Sequence, residues 1–561
     1  MASITQASLP TLDRLKASVP DDLDVQKVAQ GWFNTFAEHV QQGNVRGMLD
    51  LMLGDAWWRD ILALTWDFRT FYSKEKIRKF LADRLGQAQI SSLKLVVGSE
   101  ALQRLYPDLA WIQAFFTFDI AVGHALGIVR LVPTSSGEWK AHTILTLLEG
   151  LKGHPELVGS LREQQPNHDK WQEKRRREIE CEDEDPKVII IGAGQSGLDV
   201  AARLKYLGVK SLIIEREPRV GNLWRKRYEA LCLHDTVYYD HMPYLPFPPT
   251  RPVSPAPKLA DWLENYAHVM ELDIWLSTNI IDTKQDPSMH KWTVTVRCAD
   301  GTERTVVANH LVFAIGLGGG TLRMPSIPGA EEFQGKMLHS GQFTSGRDYL
   351  GKKVVIVGAC TSSHDIAKDM YDHGVDVTLF QRSSTYGRSV DKGANAMLSP
   401  LYHEGGDPDI ADRITASFPV WQNHPMQKRV VKDIAAMDKE TLDGLRRVGF
   451  RNMGPDDSGF MMLIWQKGGG YYLGACASRG ASACAEWACR ADVGASQLII
   501  DGKIKLKNDV QIKCFTKRGL EFENGSMLDA DAVIFATGYG DPRDPIKKVI
   551  GEELGKQLKP I

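Results

Sequence analysis

The strongest constraint on the fold is an apolar strand that leads directly into a glycine-rich turn and a helix. Val188–Ile191 is a continuous apolar run, as expected of a buried parallel strand. The sequence GAGQSG follows at residues 192–197, then a helical pattern over Leu198–Leu207 and a second strand, Ser211–Ile214, that ends in Glu215. This strand–turn–helix–strand order is the context that a GxGxxG dinucleotide-binding fingerprint requires.

Each position of the fingerprint has a physical role. Gly192 permits the tight turn, Gly194 lets a pyrophosphate approach the backbone, and Gly197 lets the helix pack closely on the strand. The helix N-terminus offers N–H groups to phosphates. Glu215 lies 23 residues after Gly192 and can accept hydrogen bonds from ribose hydroxyls.

The next segment favours FAD as the dinucleotide. The sequence REPRVGNLW at residues 216–224 resembles the ExxxxxGGxW continuation of FAD-binding proteins, with Asn222 at the second glycine. Asparagine tolerates a positive φ better than most residues, so the replacement is mild. The predicted FAD-binding residues are Gly192, Gly194, Gln195, Ser196, Gly197, Glu215, Arg216, Asn222, Leu223 and Trp224.

A second unit of the same kind starts at Val354–Val357. The sequence GACTSS at residues 358–363 takes the fingerprint position, with Cys360 and Ser363 replacing two glycines. The next strand, Val375–Phe380, is followed by QRSS instead of an acid. An arginine here suits a 2′-phosphate and favours NADPH, although a solvated surface arginine is the alternative. The predicted NADPH-binding residues are Gly358, Cys360, Ser362, Ser363, Arg382 and Ser383.

The segment between the two units carries a family signature. FQGKMLHSGQF at residues 333–343 matches FxGxxxHxxx(F/Y), and the chain thereby resembles the flavin-containing monooxygenases, which are class B flavoprotein monooxygenases. FAIG at residues 313–316 and FATGY at residues 535–539 resemble the two strand ends that join the cofactor domains of that family. The resemblance covers about residues 187–561, and LCLHD at residues 231–235 is similar to fungal relatives of YUCCA-type enzymes.

The resemblance implies an FAD-containing, NADPH-dependent monooxygenase. In this family O2 adds to the reduced flavin at C4a, and the resulting (hydro)peroxyflavin passes one oxygen atom to a small organic substrate. The reaction would be N- or S-oxygenation, or the oxidative decarboxylation of a 2-oxo acid. His234 stands where it could donate a hydrogen bond to flavin or peroxide, and a buried structural role is the alternative. Ala536, Thr537 and Gly538 complete the predicted cofactor site, and His339 of the signature is expected to be structural.

Two alternatives to this function stay open. Baeyer–Villiger monooxygenases carry a similar signature with tryptophan at the position of Phe343. A catalytically impaired flavin- or nucleotide-binding protein is the other, because LGACASRGASACAEWACRA at residues 473–491 suggests an insert at 474–491 and the chain stops 22 residues after Tyr539. Related enzymes continue beyond this point.

Residues 1–165 lack a glycine-rich fingerprint and predict a separate domain. Val25–Leu53 favours a helical hairpin and Lys74–Leu85 a helix. Strand-like runs follow at Leu93–Val97, Leu109–Phe118, Gly127–Pro133 and Trp139–Leu148, an α+β pattern that resembles the NTF2-like fold. A dense set of aromatic residues there would form either a core or an apolar ligand pocket.

The predicted fold class is therefore α/β, with two Rossmann-type domains for FAD and NADPH behind an α+β NTF2-like domain. The predicted boundaries are 1–165 for the NTF2-like domain, 166–186 for a charged linker, 187–346 and 511–561 for the FAD domain, and 347–510 for the NADPH domain.

Composition limits the partners and the compartment. A net charge of −2 gives no sign of a nucleic-acid partner. The sequence shows neither an apolar signal region nor an apolar run of about 18 residues, so we expect a cytoplasmic protein without a membrane span. The eight cysteines form no CxxC pair, which disfavours a metal site and a disulfide reductase. The expected partners are a small-molecule substrate and O2, with a homodimer possible through the N-terminal sheet.

Overall fold

The structure is a computed structural model that describes residues 8–164, 168–233, 235–248, 254–452, 470–473 and 494–559. These residues form two compact units. Unit 1 contains residues 1–155 together with Asp407–Val430, and unit 2 contains Glu156–Gly406 and Val431–Ile561. Residues 407–430 lie within the predicted NADPH domain, whereas their contacts assign them to unit 1.

Unit 1 combines short helices with one large sheet. Numbered along the whole chain, its helices are α1 Leu12–Leu15, α2 Val25–Gln41, α3 Val45–Asp50, α4 Lys74–Ala88, α11 Pro408–Ser417 and the part of α12 (Val420–Met437) that ends at Val430. Its strands are β1 Met52–Ile61, β2 Phe68–Tyr72, β3 Ser91–Leu95, β4 Ala101–Tyr106, β5 Leu109–Asp119, β6 Gly123–Pro133 and β7 Trp139–Leu151.

The predicted helical hairpin is confirmed, and its break has a local cause. Gly43 adopts a positive φ of 62°, and the Asn44 side chain then caps α3 by accepting from the Gly47 N–H at 3.0 Å. The prediction was wrong at its end, because Met52 and Leu53 already belong to β1. In the sequence, the start of this strand resembles the apolar end of a helix. Its aromatic pair Trp57-Trp58 is buried in the sheet.

The sheet of unit 1 has the strand order β2-β1-β7-β6-β5-β3, with β4 also paired to β5. Most neighbours are antiparallel, as predicted, but β1 runs parallel to β7. One face packs on α2 to α4 and forms the main core around Phe36, Trp58 and Phe116. Much of the aromatic set therefore serves as core, although Trp66 and Phe68 are exposed.

The other face of this sheet is covered by residues 407–430. Arg130 of β6 is buried there, with its guanidinium carbon 3.6 Å from the centroid of the Phe418 ring. The guanidinium also donates to the Ser417 hydroxyl at 2.8 Å. Burial lowers the pKa of Arg130 to about 9. Ser417 and Phe418 thus compensate part of the cost of burying a cation inside unit 1.

We expect Phe418→Ala to lower the free energy of unfolding of unit 1 by about 2 kcal/mol, because the ring contributes both apolar packing and a cation–π contact to Arg130. Urea unfolding measures this change. Val420→Ala is the matched control, since that side chain is 51% exposed. Equal stability of the two variants would contradict the assigned role of Phe418.

Unit 2 contains the remaining elements. Its helices are α5 Trp171–Glu180, α6 Gln195–Tyr206, α7 Asn222–Arg225, α8 Ala256–Val269, α9 Thr361–Asp372, α10 Asn395–Leu398, the rest of α12, α13 Lys439–Arg447, α14 Ala495–Ile500, α15 Arg543–Ile550 and α16 Glu552–Gly555. Its strands are β8 Val188–Ile191, β9 Ser211–Ile214, β10 Ile274–Trp275, β11 Asn279–Asp286, β12 Lys291–Arg297, β13 Glu303–Ala308, β14 His310–Phe313, β15 Lys336–His339, β16 Lys353–Val357, β17 Asp376–Phe380, β18 Tyr386–Ser389, β19 Gly470–Leu473, β20 Lys505–Lys507, β21 Ile512–Thr516, β22 Gly519–Phe522, β23 Met527–Asp529 and β24 Ala532–Phe535.

Unit 2 uses one architecture twice. The first parallel sheet has the order β10-β9-β8-β14, and the second has β15-β24-β16-β17-β20, which repeats that order and adds β15 at one edge. A three-stranded antiparallel sheet accompanies each, β11-β12-β13 and β21-β22-β23. The predicted pair of Rossmann-type α/β arrangements is thus confirmed. None of the described helices combines the length and the apolar composition that crossing a bilayer requires.

Candidate functional site

The first nucleotide-binding turn lies between β8 and α6. Gly192 has a φ of +108°, and a Cβ there would lie 2.5 Å from the Ala314 carbonyl oxygen. A Cβ at Gly197 would lie 2.0 Å from the Gly192 carbonyl oxygen. A Cβ at Gly194 would meet no atom within 4 Å. The first and third glycines are therefore required by packing, and the second faces open space.

Glu215 at the end of β9 reaches back to this turn. Its Oε2 accepts from the Ala193 N–H at 2.7 Å, and its Oε1 accepts from the Glu217 N–H at 2.8 Å. The carboxylate is thereby fixed beside the fingerprint, where the sequence predicts that it accepts hydrogen bonds from ribose hydroxyls. Arg216 follows, and its guanidinium lies near Gly320, where a Cβ would be 2.8 Å away.

The replacement of the second glycine by Asn222 has a simpler reason than the one predicted. Gly221 carries the positive φ of 82°, whereas Asn222 is the first residue of α7 and has no positive φ. Asparagine therefore needs no left-handed conformation at this position. Within α7, Leu223 is exposed, and the half-buried Trp224 packs against the cores of both dinucleotide-binding halves.

The second turn repeats the first with one change. Gly358 has a φ of +129°, and a Cβ there would lie 2.4 Å from the Ala536 carbonyl oxygen. Ser363 replaces the third glycine, is fully buried, and donates its hydroxyl to the Cys360 carbonyl at 2.6 Å. Burial raises the pKa of the Cys360 thiol. The thiol is therefore neutral at physiological pH and does not repel a phosphate.

Polar residues gather at the carboxyl end of β17. Arg382 and Ser383 lie two and three residues beyond the strand, and both are exposed. This edge lies beside the second turn, because β17 and β16 are parallel neighbours with Val357 paired to Phe380. It is the position at which a dinucleotide fold meets the adenosine ribose.

The signature segment forms an edge strand of the second sheet. Its strand, β15, pairs with β24, and His339 lies opposite Phe535. His339 is buried, accepts from the Gly341 N–H at Nδ1 (3.0 Å), and donates from Nε2 to the Gly538 carbonyl at 2.9 Å. Thr537, next to Gly538, donates to the Arg323 carbonyl. The predicted residues 536–538 thus lie beside the second turn.

One hydrogen bond connects the FAD-side segment to the second turn, and it was not foreseen from the sequence. The Tyr228 hydroxyl donates to Asp365 of α9 at 2.6 Å, and burial raises the pKa of Tyr228 well above its ordinary value. Among the described residues, the buried Nε of the neighbouring Arg227 has no hydrogen-bond partner. The available signal was an acid directly before the apolar residues Ile366 and Ala367 of α9.

The geometry around both turns fits a dinucleotide diphosphate. Each helix start leaves N–H groups that lack intrahelical partners, and the space at Gly194 admits a phosphate beside the backbone. His234 and the suspected insert at 474–491 lie outside the described residues, so their predicted roles stay predictions.

Comparison with known proteins shows which enzymes the chain is similar to. Residues 189–406 match the pyridine nucleotide-disulphide oxidoreductase family model. The chain is 29% identical to a probable indole-3-pyruvate monooxygenase of Arabidopsis thaliana, YUCCA8, over 63% of this chain and 74% of the relative. YUCCA3 of the same plant is also 29% identical, over 63% and 72%. The chain is thus similar to plant flavoprotein monooxygenases along 63% of its length.

Solved structures give weaker matches. A flavin-containing monooxygenase from Stenotrophomonas maltophilia shares 17% identity with a TM-score of 0.43, covering 65% of this chain and 81% of that protein. An open crystal structure of cyclohexanone monooxygenase shares 15% identity with a TM-score of 0.45, covering 65% and 75%.

Burial of His339 predicts a pH effect on stability. Burial is the main reason why its pKa lies below the ordinary 6.5. The unfolded chain therefore binds a proton more readily than the folded chain, and the stability contributed by neutral His339 is lost as pH falls below about 6.5. We expect His339→Gln to lose less stability than the unmodified protein between about pH 7.5 and pH 5.5. Unfolding midpoints at both pH values test this.

His268→Gln provides the matched control, because His268 is exposed near the end of α8. This control is expected to keep the pH dependence of the unmodified protein. If His339→Gln kept it too, protonation of His339 would not contribute.

Proposed function

We propose that this protein is an FAD-containing, NADPH-dependent monooxygenase that converts a 2-oxo acid into the carboxylic acid that is one carbon shorter. The relatives named indole-3-pyruvate monooxygenases support this substrate class. Phe343, where Baeyer–Villiger enzymes carry tryptophan, argues against ester formation. The observation that carries the proposal is the presence of two fingerprint turns within one unit. The first glycine of each turn packs on the carbonyl of an alanine at the end of a strand.

The first turn would hold FAD. Gly192, Gly194 and Gly197 leave room for the diphosphate, while Gln195 and Ser196 begin the helix whose N–H groups face it. Glu215 would accept from the ribose hydroxyls, and Arg216, Asn222, Leu223 and Trp224 would line the same side. Glu215 is already oriented by the Ala193 N–H, so little ordering is needed when the nucleotide binds.

The second turn would hold NADPH. Gly358, Cys360, Ser362 and Ser363 lie at the start of α9, and Arg382 and Ser383 would contact the 2′-phosphate. Ala536, Thr537 and Gly538 would complete the wall of the site. Arg382 would bind the phosphate through charge-assisted hydrogen bonds from its planar guanidinium group.

The bound flavin, once reduced, supplies the electrons that activate O2. The overall reaction consumes NADPH, a proton and O2 with each 2-oxo acid, and it yields the shortened acid, CO2, NADP+ and water. The contribution of the chain is to hold both nucleotides and to exclude water. The bond between Tyr228 and Asp365 supports this, because it ties the segment after α7 to the start of α9.

Absorption spectroscopy tests the proposal. The purified chain is expected to show a flavin band that bleaches when NADPH is added without O2. With O2 and indole-3-pyruvate, NADPH oxidation should match CO2 release, with little hydrogen peroxide. A colourless protein would contradict the proposal, and a flavin band that NADPH fails to bleach would indicate a nucleotide-binding protein without this activity.

Two glycine substitutions separate the cofactor sites. A left-handed residue other than glycine costs about 1–2 kcal/mol, which is about tenfold in affinity, and the carbonyl contact adds to this. We expect Gly192→Ala to lose bound flavin. Gly358→Ala should keep its flavin and need at least about tenfold more NADPH for reduction.

The matched control is Gly31→Ala, because a Cβ at Gly31 meets no atom within 4 Å and its φ is not positive. It should behave like the unmodified protein in both assays. Loss of flavin from Gly358→Ala alone would reverse the proposed assignment of the two turns.

We further propose that unit 1 is an NTF2-like domain, on the basis of its strand order and the helices packed on one face of its sheet. Residues 407–430 already cover part of the other face, which is where a homodimer was expected to form.

A further inference from the structure

A buried glutamine fixes a distant loop at the end of β17. Gln381 follows Phe380 directly, and its side chain is 1% exposed. Its Oε1 accepts from the Arg451 N–H at 2.8 Å, and its Nε2 donates to the Arg451 carbonyl at 3.0 Å. Both backbone groups of a residue that lies 70 positions further along the chain are therefore held by one amide.

Three more hydrogen bonds surround the same loop. The Thr385 N–H donates to the Arg451 carbonyl at 3.0 Å. Asn508 donates through Nδ2 to Gln381 Oε1 at 3.1 Å and to the Gly449 carbonyl at 2.7 Å. The backbone of Arg451 is thus bonded to the residues on both sides of Arg382, which places the two arginines at one edge of the sheet.

The charges at this edge favour an anion. Lys507, at the end of the neighbouring strand β20, is already paired with Asp509 at 2.8 Å. Hydrogen bonding from Lys507 lowers the pKa of Asp509, and the charge of Arg451 contributes to the same shift. Arg382 and Arg451 are both exposed, and neither forms an ion pair with another described residue. Two guanidinium groups are therefore available where a dinucleotide fold places the adenosine ribose.

We propose that Arg451 is a second recognition residue for the 2′-phosphate of NADPH, and that Gln381 positions it beside Arg382. A ribose 2′-phosphate is a dianion, and planar guanidinium groups bind such oxygens through charge-assisted hydrogen bonds. The inference rests on the proposed NADPH site at the second turn. It assigns nucleotide specificity to a loop that lies outside the fingerprint.

Calorimetric titration with 2′,5′-ADP and 5′-AMP tests the proposal, because only the first carries the 2′-phosphate. Arg451→Gln is expected to weaken binding of 2′,5′-ADP by about tenfold or more, which is the usual effect of removing a hydrogen bond to a charged group. Binding of 5′-AMP and the flavin content should not change. Arg382→Gln should show the same selective loss.

Arg447→Gln is the matched control. Arg447 is exposed at the end of α13, four residues before Arg451, so its loss changes the local charge equally. It should bind 2′,5′-ADP as the unmodified protein does. Equal affinities of Arg451→Gln and Arg447→Gln would overturn the role of Arg451.

The positioning role of Gln381 has its own readout. Gln381→Leu should weaken 2′,5′-ADP selectively, and adding Arg451→Gln to it should cost little more, because both changes remove the same contact. Additive losses would overturn the positioning role. If NADPH bleaches the flavin of the unmodified protein but Arg451→Gln still binds 2′,5′-ADP normally, this inference alone is refuted. Failure of NADPH to bleach the flavin refutes the proposed function itself.

Discussion

The contact between the first glycine of each turn and a strand-end carbonyl governs the arrangement of unit 2. Gly192 packs on Ala314, and Gly358 packs on Ala536. The register is the same in both sheets, since Ile191 pairs with Phe313 and Val357 pairs with Phe535. Each turn therefore lies at the same depth on its sheet. Both helix N-termini are consequently set at the carboxyl edge of the parallel strands, where such folds bind ligands.

The two copies differ in the residue that occupies the third glycine position of the turn. In the first copy the helix presses on the turn, because even a Cβ at Gly197 would overlap the Gly192 carbonyl. In the second copy Ser363 carries a side chain at that point and satisfies its hydroxyl on Cys360. The second turn therefore accommodates a side chain at this position. This tolerance explains why a sequence that lacks two of three glycines still forms the same motif.

Sequence patterns were most informative where structure is local. The strands and helices around both fingerprints follow from apolar runs and turn residues that are adjacent in the chain, and the hairpin of α2 and α3 follows from Gly43 and Asn44. The pairing of β1 with β7 and the packing of Phe418 on Arg130 could not be predicted in this way. Both join residues that are far apart, and their apolar patterns fit several partners equally well. The link between Gln381 and Arg451 is of the same kind.

The residues of the signature segment, 333–343, have structural roles that the sequence pattern alone does not reveal. Gly335 leaves no room for a side chain against Phe333 and Asp531, and Phe343 is buried near Tyr228 and Tyr349. His339 joins β15 to the loop after β24 through a neutral ring that donates on one side and accepts on the other. An imidazolium has no acceptor and would lose the bond from Gly341. The motif therefore stabilises the edge of the second sheet and holds Gly538 near the second turn, where we propose that NADPH binds.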